Sequence, residues 1–80
     1  MPKLKALSGK DLIRIFGEFG FSIAGQKGSH IKLVRVANSN RQTLTIPNHD
    51  ELDKGTLKAI YNQALRYIDR ENITRNFYSS

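Results

Sequence analysis

The spacing of apolar residues changes twice along this chain, and those two changes restrict its fold more than any other feature. Leu12, Ile15, Phe16 and Phe19 fall at i, i+3, i+4 and i+7, with Lys10, Arg14 and Glu18 between them. That is the spacing of a helix with one face on a core. Ser8-Gly-Lys-Asp11 precedes the stripe, and a hydroxyl and a carboxylate three residues apart can each accept from an amide left free at a helix start. The helix is therefore expected to begin at Ser8 and to stop at Gly20.

From Phe21 the period becomes two. Phe21, Ile23 and Gly25 alternate with Ser22, Ala24 and Gln26, which predicts a half-buried strand. Gly25-Gln-Lys-Gly28 reads as a turn. In the next run, His30–Val36, Ile31 and Leu33 share one face while His30, Lys32 and Val34 share the other. Ala37–Arg41 is small and polar, a hairpin loop, and Gln42–Ile46 alternates again with Leu44 and Ile46 as its apolar set before Pro47 ends it. After a connector, Asn48–Leu52, Asp53 is the predicted N-cap of a second helix in which Leu57, Ile60, Tyr61, Ala64, Leu65 and Ile68 restore the helical spacing. Lys54 and Lys58 sit at its start, where the helix dipole does not favour cations.

Helix, three-stranded meander, helix: this order predicts an α+β fold of two layers, with both helices on one face of an antiparallel sheet. The chain of 80 residues has room for one domain, 1–80, and no separate catalytic domain. Its tail, 69–80, is polar apart from Ile73, Phe77 and Tyr78. It is expected to dock on the core, extended or as a short helix, and not to lengthen the second helix.

Composition narrows the function. Zero cysteines exclude disulfide staples, thiolate catalysis and zinc-finger ligation, and make a reducing cytoplasm the expected home. No apolar run approaches the ~18 residues of a membrane span, and the opening MPKLKALSGK lacks the apolar stretch of a signal peptide, so no membrane partner is expected. Thirteen Lys and Arg against seven Asp and Glu leave a net charge of +6. A polyanionic partner follows, with nucleic acid the best fit because a positive field speeds encounter and counterion release drives binding to a phosphate backbone. An acidic protein would suit the same field, and plain solvation of a small surface accounts for it without a partner.

Two histidines nineteen positions apart, without cysteine, do not compose a metal shell. Asp50, Glu51 and Asp53 read as connector and cap. Gly25 and Gly28 resemble half of a phosphate loop without its fingerprint, so neither a metal nor a cofactor is expected. The segment that could carry chemistry is Gly28-Ser29-His30 at the mouth of a strand, with Lys32 on the same face. An imidazole with a reference pKa of ~6.5 can take and return a proton at neutral pH. RNA carries its own nucleophile, the 2′-hydroxyl, so one such group and cations holding the phosphate could cleave it. From the pattern alone, His30 is also readable as an ordinary surface residue, and His49 as a connector residue or a member of the site. Lys27, Lys32, Arg35 and Arg41 surround the hairpins, with Lys54 and Lys58 at the second helix. They are phosphate contacts if they converge and a solvated face if they do not.

Leu7-Ser-Gly-Lys-Asp-Leu12, Gly28-Ser-His30, Thr45-Ile-Pro-Asn-His49 and Lys54-Gly-Thr-Leu57 occur in this order and spacing, and in them the chain resembles the HicA-type (YcfA-like) toxins of bacterial and archaeal toxin–antitoxin pairs. The resemblance covers roughly the first 68 residues. It implies a double-stranded-RNA-binding-domain-like α-β-β-β-α fold and an mRNA interferase, a ribosome-independent endoribonuclease that stops translation and is silenced by a HicB-type antitoxin. The family's catalytic histidine falls on His30. Gly28 would let the backbone approach the substrate, Ser29 would donate a hydrogen bond, and Pro47 and His49 match a Pro-x-His element carried over as an RNA contact. The tail departs from the pattern: Asn72–Tyr78 does not resemble the short third helix of many members. The competing functions are a non-catalytic RNA-binding module, which the same fold would serve, and a small basic protein that docks on an acidic partner.

Overall fold

The structure, a computed structural model, describes residues 2–79. Its elements are β1 (Lys3–Leu4), α1 (Gly9–Glu18), β2 (Ser22–Lys27), β3 (His30–Ala37), β4 (Asn40–Pro47), α2 (Lys54–Ala64), α3 (Arg70–Phe77) and β5 (Tyr78–Ser79). At the start of α1 the Ser8 hydroxyl accepts the Asp11 amide at 3.0 Å and the Asp11 carboxylate accepts the Ser8 amide at 2.9 Å. The Ser8 backbone amide first, and then the Ser8 side chain, hold the Asp11 carboxyl below its ordinary pKa, helped by the Arg14 charge. Asp53 caps α2 through the Thr56 amide at 2.6 Å.

Strands β2, β3 and β4 form an antiparallel sheet in that order. Ile31 faces Ile46 and Leu33 faces Leu44 across the β3–β4 ladder. All four are buried, together with Leu12, Ile15 and Phe16 of α1 and Leu57, Ile60 and Ala64 of α2. Both helices therefore cover one face of the sheet, the α+β, double-stranded-RNA-binding-domain-like arrangement. None of the residues that alternate with these on β3 and β4 is buried: His30, Lys32, Val34 and Val36, opposite Pro47, Thr45, Thr43 and Arg41, form an open outer face.

Five local expectations are corrected. Gly25–Gly28 is not the first turn: β2 runs on to Lys27, and a two-residue turn at Gly28-Ser29 closes the hairpin with Gly28 at φ 59°, a left-handed conformation glycine adopts without cost. The Ala37–Arg41 loop shortens in the same way to Asn38-Ser39, both at positive φ (54° and 65°), the backbone of a type I′ turn. Strand β2 is not half-buried. A bulge separates Ile23, opposite Leu33, from Gly25, opposite Lys32. All six β2 residues are exposed, because this edge strand reaches past the helix layer, and Ile23 is 58% exposed. Helix α2 ends at Ala64, four residues short of Ile68, and the Arg66 and Tyr67 amides bond back three residues as the chain turns away.

The fifth correction is confined to Asn72–Tyr78, read above as unlike the short third helix of many family members. Residues 70–77 do form a third helix, α3, whose Ile73 and Phe77 are fully buried. The Phe77 ring lies 6.0 Å from Phe16 and 5.5 Å from Tyr61, so α3 seals the far side of the helix layer. Beyond it β5 pairs with β1, Lys3 with Ser79 and Leu4 with Tyr78, a ribbon that the sequence patterns do not announce.

Candidate functional site

Three segments distant in sequence are tied together at one end of the molecule by backbone hydrogen bonds. The Asn48 amide donates to the Ser29 carbonyl at 2.6 Å, the Gly9 amide to the His49 carbonyl at 2.9 Å, and the Leu52 amide to the Leu7 carbonyl at 3.0 Å. In the sheet, His30 is the register partner of Pro47. The turn Gly28-Ser29-His30, the stretch Thr45–His49 and the start of α1 therefore form one structure. Helix α2 begins just beyond, at Lys54.

Gly9 makes this junction fit. A Cβ there would run into the Pro47 carbonyl oxygen and lie 3.0 Å from the Asn48 Cα and 3.2 Å from the His49 amide nitrogen. Only glycine allows α1 to start so close to the 47–49 backbone. In the cap pattern Ser8-Gly-Lys-Asp11, Gly9 occupies a position to which the spacing assigns no role. The available signal was a glycine, a poor helix former, at the first position of an otherwise well-capped helix.

On the outer face, His30 lies between Lys27 on β2, its register partner, and Pro47 on β4. The bulge in β2 determines this. In an unbroken strand Lys27 would share a face with Ile23, toward the helices. With one extra residue between Ile23 and Gly25 the alternation is reversed, which puts Gly25 and Lys27 beside Lys32 and His30 on the outer face. These four residues, with Gln26 and Thr45, line a shallow open groove of about 290 Å³. The Gln26 side-chain amide donates to the Gly28 carbonyl at 3.0 Å and braces the turn. A Cβ at Gly25 or Gly28 would meet nothing within 4 Å, so the groove is open above the turn. The result is an exposed imidazole beside two ammonium groups, an arrangement suited to exchanging a proton next to a bound anion.

The other candidate residues are dispersed. His49 is exposed and adjacent to the turn through the Asn48–Ser29 bond. Arg41 shares the outer face but pairs with Val36 at the opposite end of β3, about 20 Å from His30 at ~3.3 Å per residue. Lys54 and Lys58 line a separate groove against the β1–β5 ribbon. Arg35 is withdrawn from any phosphate-binding role. Its guanidinium faces the helices, donating to the Gln42 side chain at 2.8 Å and to the carbonyls of Phe19 at 2.8 Å and Tyr67 at 2.9 Å, with its carbon 4.8 Å above the Phe21 ring. Arg35 thus satisfies the carbonyls at the ends of α1 and α2. Its side could be read from the sequence, since it alternates with Ile31 and Leu33.

Among the described residues no three His, Cys, Asp or Glu side chains converge as a metal site would require, and no helix is long and apolar enough to cross a membrane. No curated protein and no solved structure matches the chain. Residues 9–65 match the model of the family described as HicA toxin of bacterial toxin-antitoxin. That span holds α1, the three-stranded sheet and α2, hence the Gly28–His30 turn, the Thr45–His49 stretch and the start of α1 that meet at the His30 end. With more than half its length so matched, the chain belongs to the HicA family of toxins from toxin–antitoxin systems.

Proposed function

We propose that this protein is a metal-independent endoribonuclease, an mRNA interferase that arrests translation and growth, and that His30 is its proton-transfer residue. The observation that carries the reading is the outer-face groove, in which an exposed imidazole lies beside Lys27 and Lys32. RNA laid there needs no nucleophile from the protein. The 2′-oxygen attacks the adjacent phosphorus as its proton passes to a base, and the bond from phosphorus to the 5′-oxygen breaks as that oxygen gains a proton. His30 serves one of these transfers as general base or acid. Lys27 and Lys32 bear on the phosphate as negative charge builds on its oxygens, which is where fixed cations contribute most. Gly28 allows the strand close approach, Ser29 donates a hydrogen bond, and His49 contacts RNA beside the turn.

The partner that silences this activity is an antitoxin of the HicB type, whose acidic or apolar segment covers the His30 face. Adding it should shift the amide signals of His30, Lys32 and the hairpins; shifts confined to α3 would exclude direct occlusion.

The chemistry is tested with a labelled single-stranded RNA and the same sequence carrying 2′-deoxyribose throughout, each incubated with protein in EDTA. Cleavage of the RNA alone is the expected result. Cleavage of the deoxy strand would show that the 2′-hydroxyl is not the nucleophile, and loss of cutting in EDTA would show that a metal ion is needed. Binding of the RNA with no product would replace the enzyme by a binding module.

A further inference from the structure

The segments flanking the family match, 2–8 and 66–79, join α2, which lies inside it, in a second basic surface. It centres on Tyr78, half-buried, whose ring meets Tyr61 edge-on at 5.5 Å and 79°. Below it the Tyr61 hydroxyl is fixed by Thr74 at 2.7 Å and by the Arg70 guanidinium at 3.3 Å. Lys5 donates to the Arg75 carbonyl at 3.1 Å and ties the N-terminal segment to α3. Two grooves meet at Pro2 and Tyr78. One, of about 390 Å³, is lined by Lys3, Lys54 and Lys58; the other, of about 500 Å³, by Arg70 and Arg75. Five cations thus flank one aromatic ring on two sides. Glu71 is the single carboxylate lining either groove, and both ion pairs among the described residues belong to Arg14 on α1.

We propose that this surface binds single-stranded RNA outside the cleavage site, with a base stacked on Tyr78 and phosphates held by Lys3, Lys54 and Lys58 on one side and by Arg70 and Arg75 on the other. The inference rests on reading the protein as a ribonuclease. Cations alternating with an aromatic platform are the recognition chemistry of an unpaired strand, whose bases are free to stack on a side chain. An acidic peptide would use the charge but not the ring. The surface is also within reach of the cutting site. Lys54, at one edge of the surface, is six residues from Asn48, whose amide bonds Ser29, so backbone geometry keeps Lys54 within about 20 Å of Asn48. A strand held at Tyr78 would deliver its neighbouring segment to His30, so the surface positions substrate without taking part in the chemistry.

The test is the affinity of a short labelled single-stranded RNA for the His30→Ala protein, which leaves the RNA intact, measured by anisotropy across a salt series. Adding Tyr78→Leu, which keeps an apolar side chain over Tyr61, should weaken binding by about 5- to 100-fold, while Tyr78→Phe should restore it. Adding Lys54→Gln and Lys58→Gln should lower the slope of log affinity against log salt by about 1.4. Unchanged affinity and slope in folded variants, with the unsubstituted protein still cutting RNA, would overturn this inference and leave the ribonuclease reading intact. If the protein neither binds nor cuts RNA but binds polyglutamate in a manner sensitive to Lys54 and Lys58, both readings fall.

Discussion

The two faces of β3 carry opposite kinds of residue on one backbone. Inward, Ile31 and Leu33 are buried against both helices and Arg35 bonds the carbonyls at their ends. Outward, His30, Lys32 and Val36 are exposed, Val36 to 72%. The inner face holds the fold together. The outer face contributes little burial, so its residues can be chosen for chemistry at little cost in stability. What links the faces is the His30 end, where the turn is held by the 47–49 backbone and that backbone by α1.

If the division is real, neighbouring substitutions should fail in different ways. Leu33→Ala should lower the unfolding free energy by about 2–5 kcal/mol in urea titration, because the packed site cannot collapse around the lost atoms. Lys32→Ala, one residue away, should leave it within about 0.5 kcal/mol and act on RNA cleavage instead. A large stability loss from Lys32→Ala would show that the outer face also holds the fold together.

Arg35→Met keeps much of the stem but removes three hydrogen bonds and the guanidinium over Phe21, and should cost about 2 kcal/mol in the same titration. No loss would mean that the helix-end carbonyls are satisfied without it. Gly9→Ala should destabilise by about 1 kcal/mol or more, although alanine is the better helix former, because its Cβ meets the Pro47 carbonyl. A gain in stability would show that the junction yields.

The smallest effect is on acid stability. Asp11 and Asp53 have folded-state pKa values held below the ordinary range by the amides they cap. The unfolded chain therefore binds protons first as pH drops. The stabilisation from these caps is complete above the ordinary carboxylate pKa and disappears as pH falls through the folded values. Asp11→Asn together with Asp53→Asn should flatten the decline of the thermal midpoint in that window. An unaltered slope would assign it to other carboxylates.

Much of the inner face was legible in sequence because its rules are local. Ser8 and Asp11 announce a cap at fixed spacing, and Ile31, Leu33, Leu44 and Ile46 alternate without interruption. The outer site was legible only in part. Alternation put His30 beside Lys32, but Lys27 joins them through a bulge that no residue pattern in β2 marks. Ile23 looked like core because burial of an edge strand depends on how far the helix layer extends. The sequence leaves the tail open between an extended segment and a short helix because Ile73 and Phe77, one turn apart, are too few to show a period, and only Phe16 and Tyr61, far off in sequence, give that turn something to cover.

We propose that His30 performs the chemistry on a face the fold does not need. It is tested most directly by measuring RNA cleavage in EDTA and thermal unfolding on the same preparations of the unsubstituted protein and its His30→Ala variant. The expected result is a rate reduced by about 10²- to 10⁴-fold with the unfolding midpoint unchanged. Cleavage at the original rate by a folded His30→Ala protein would contradict it.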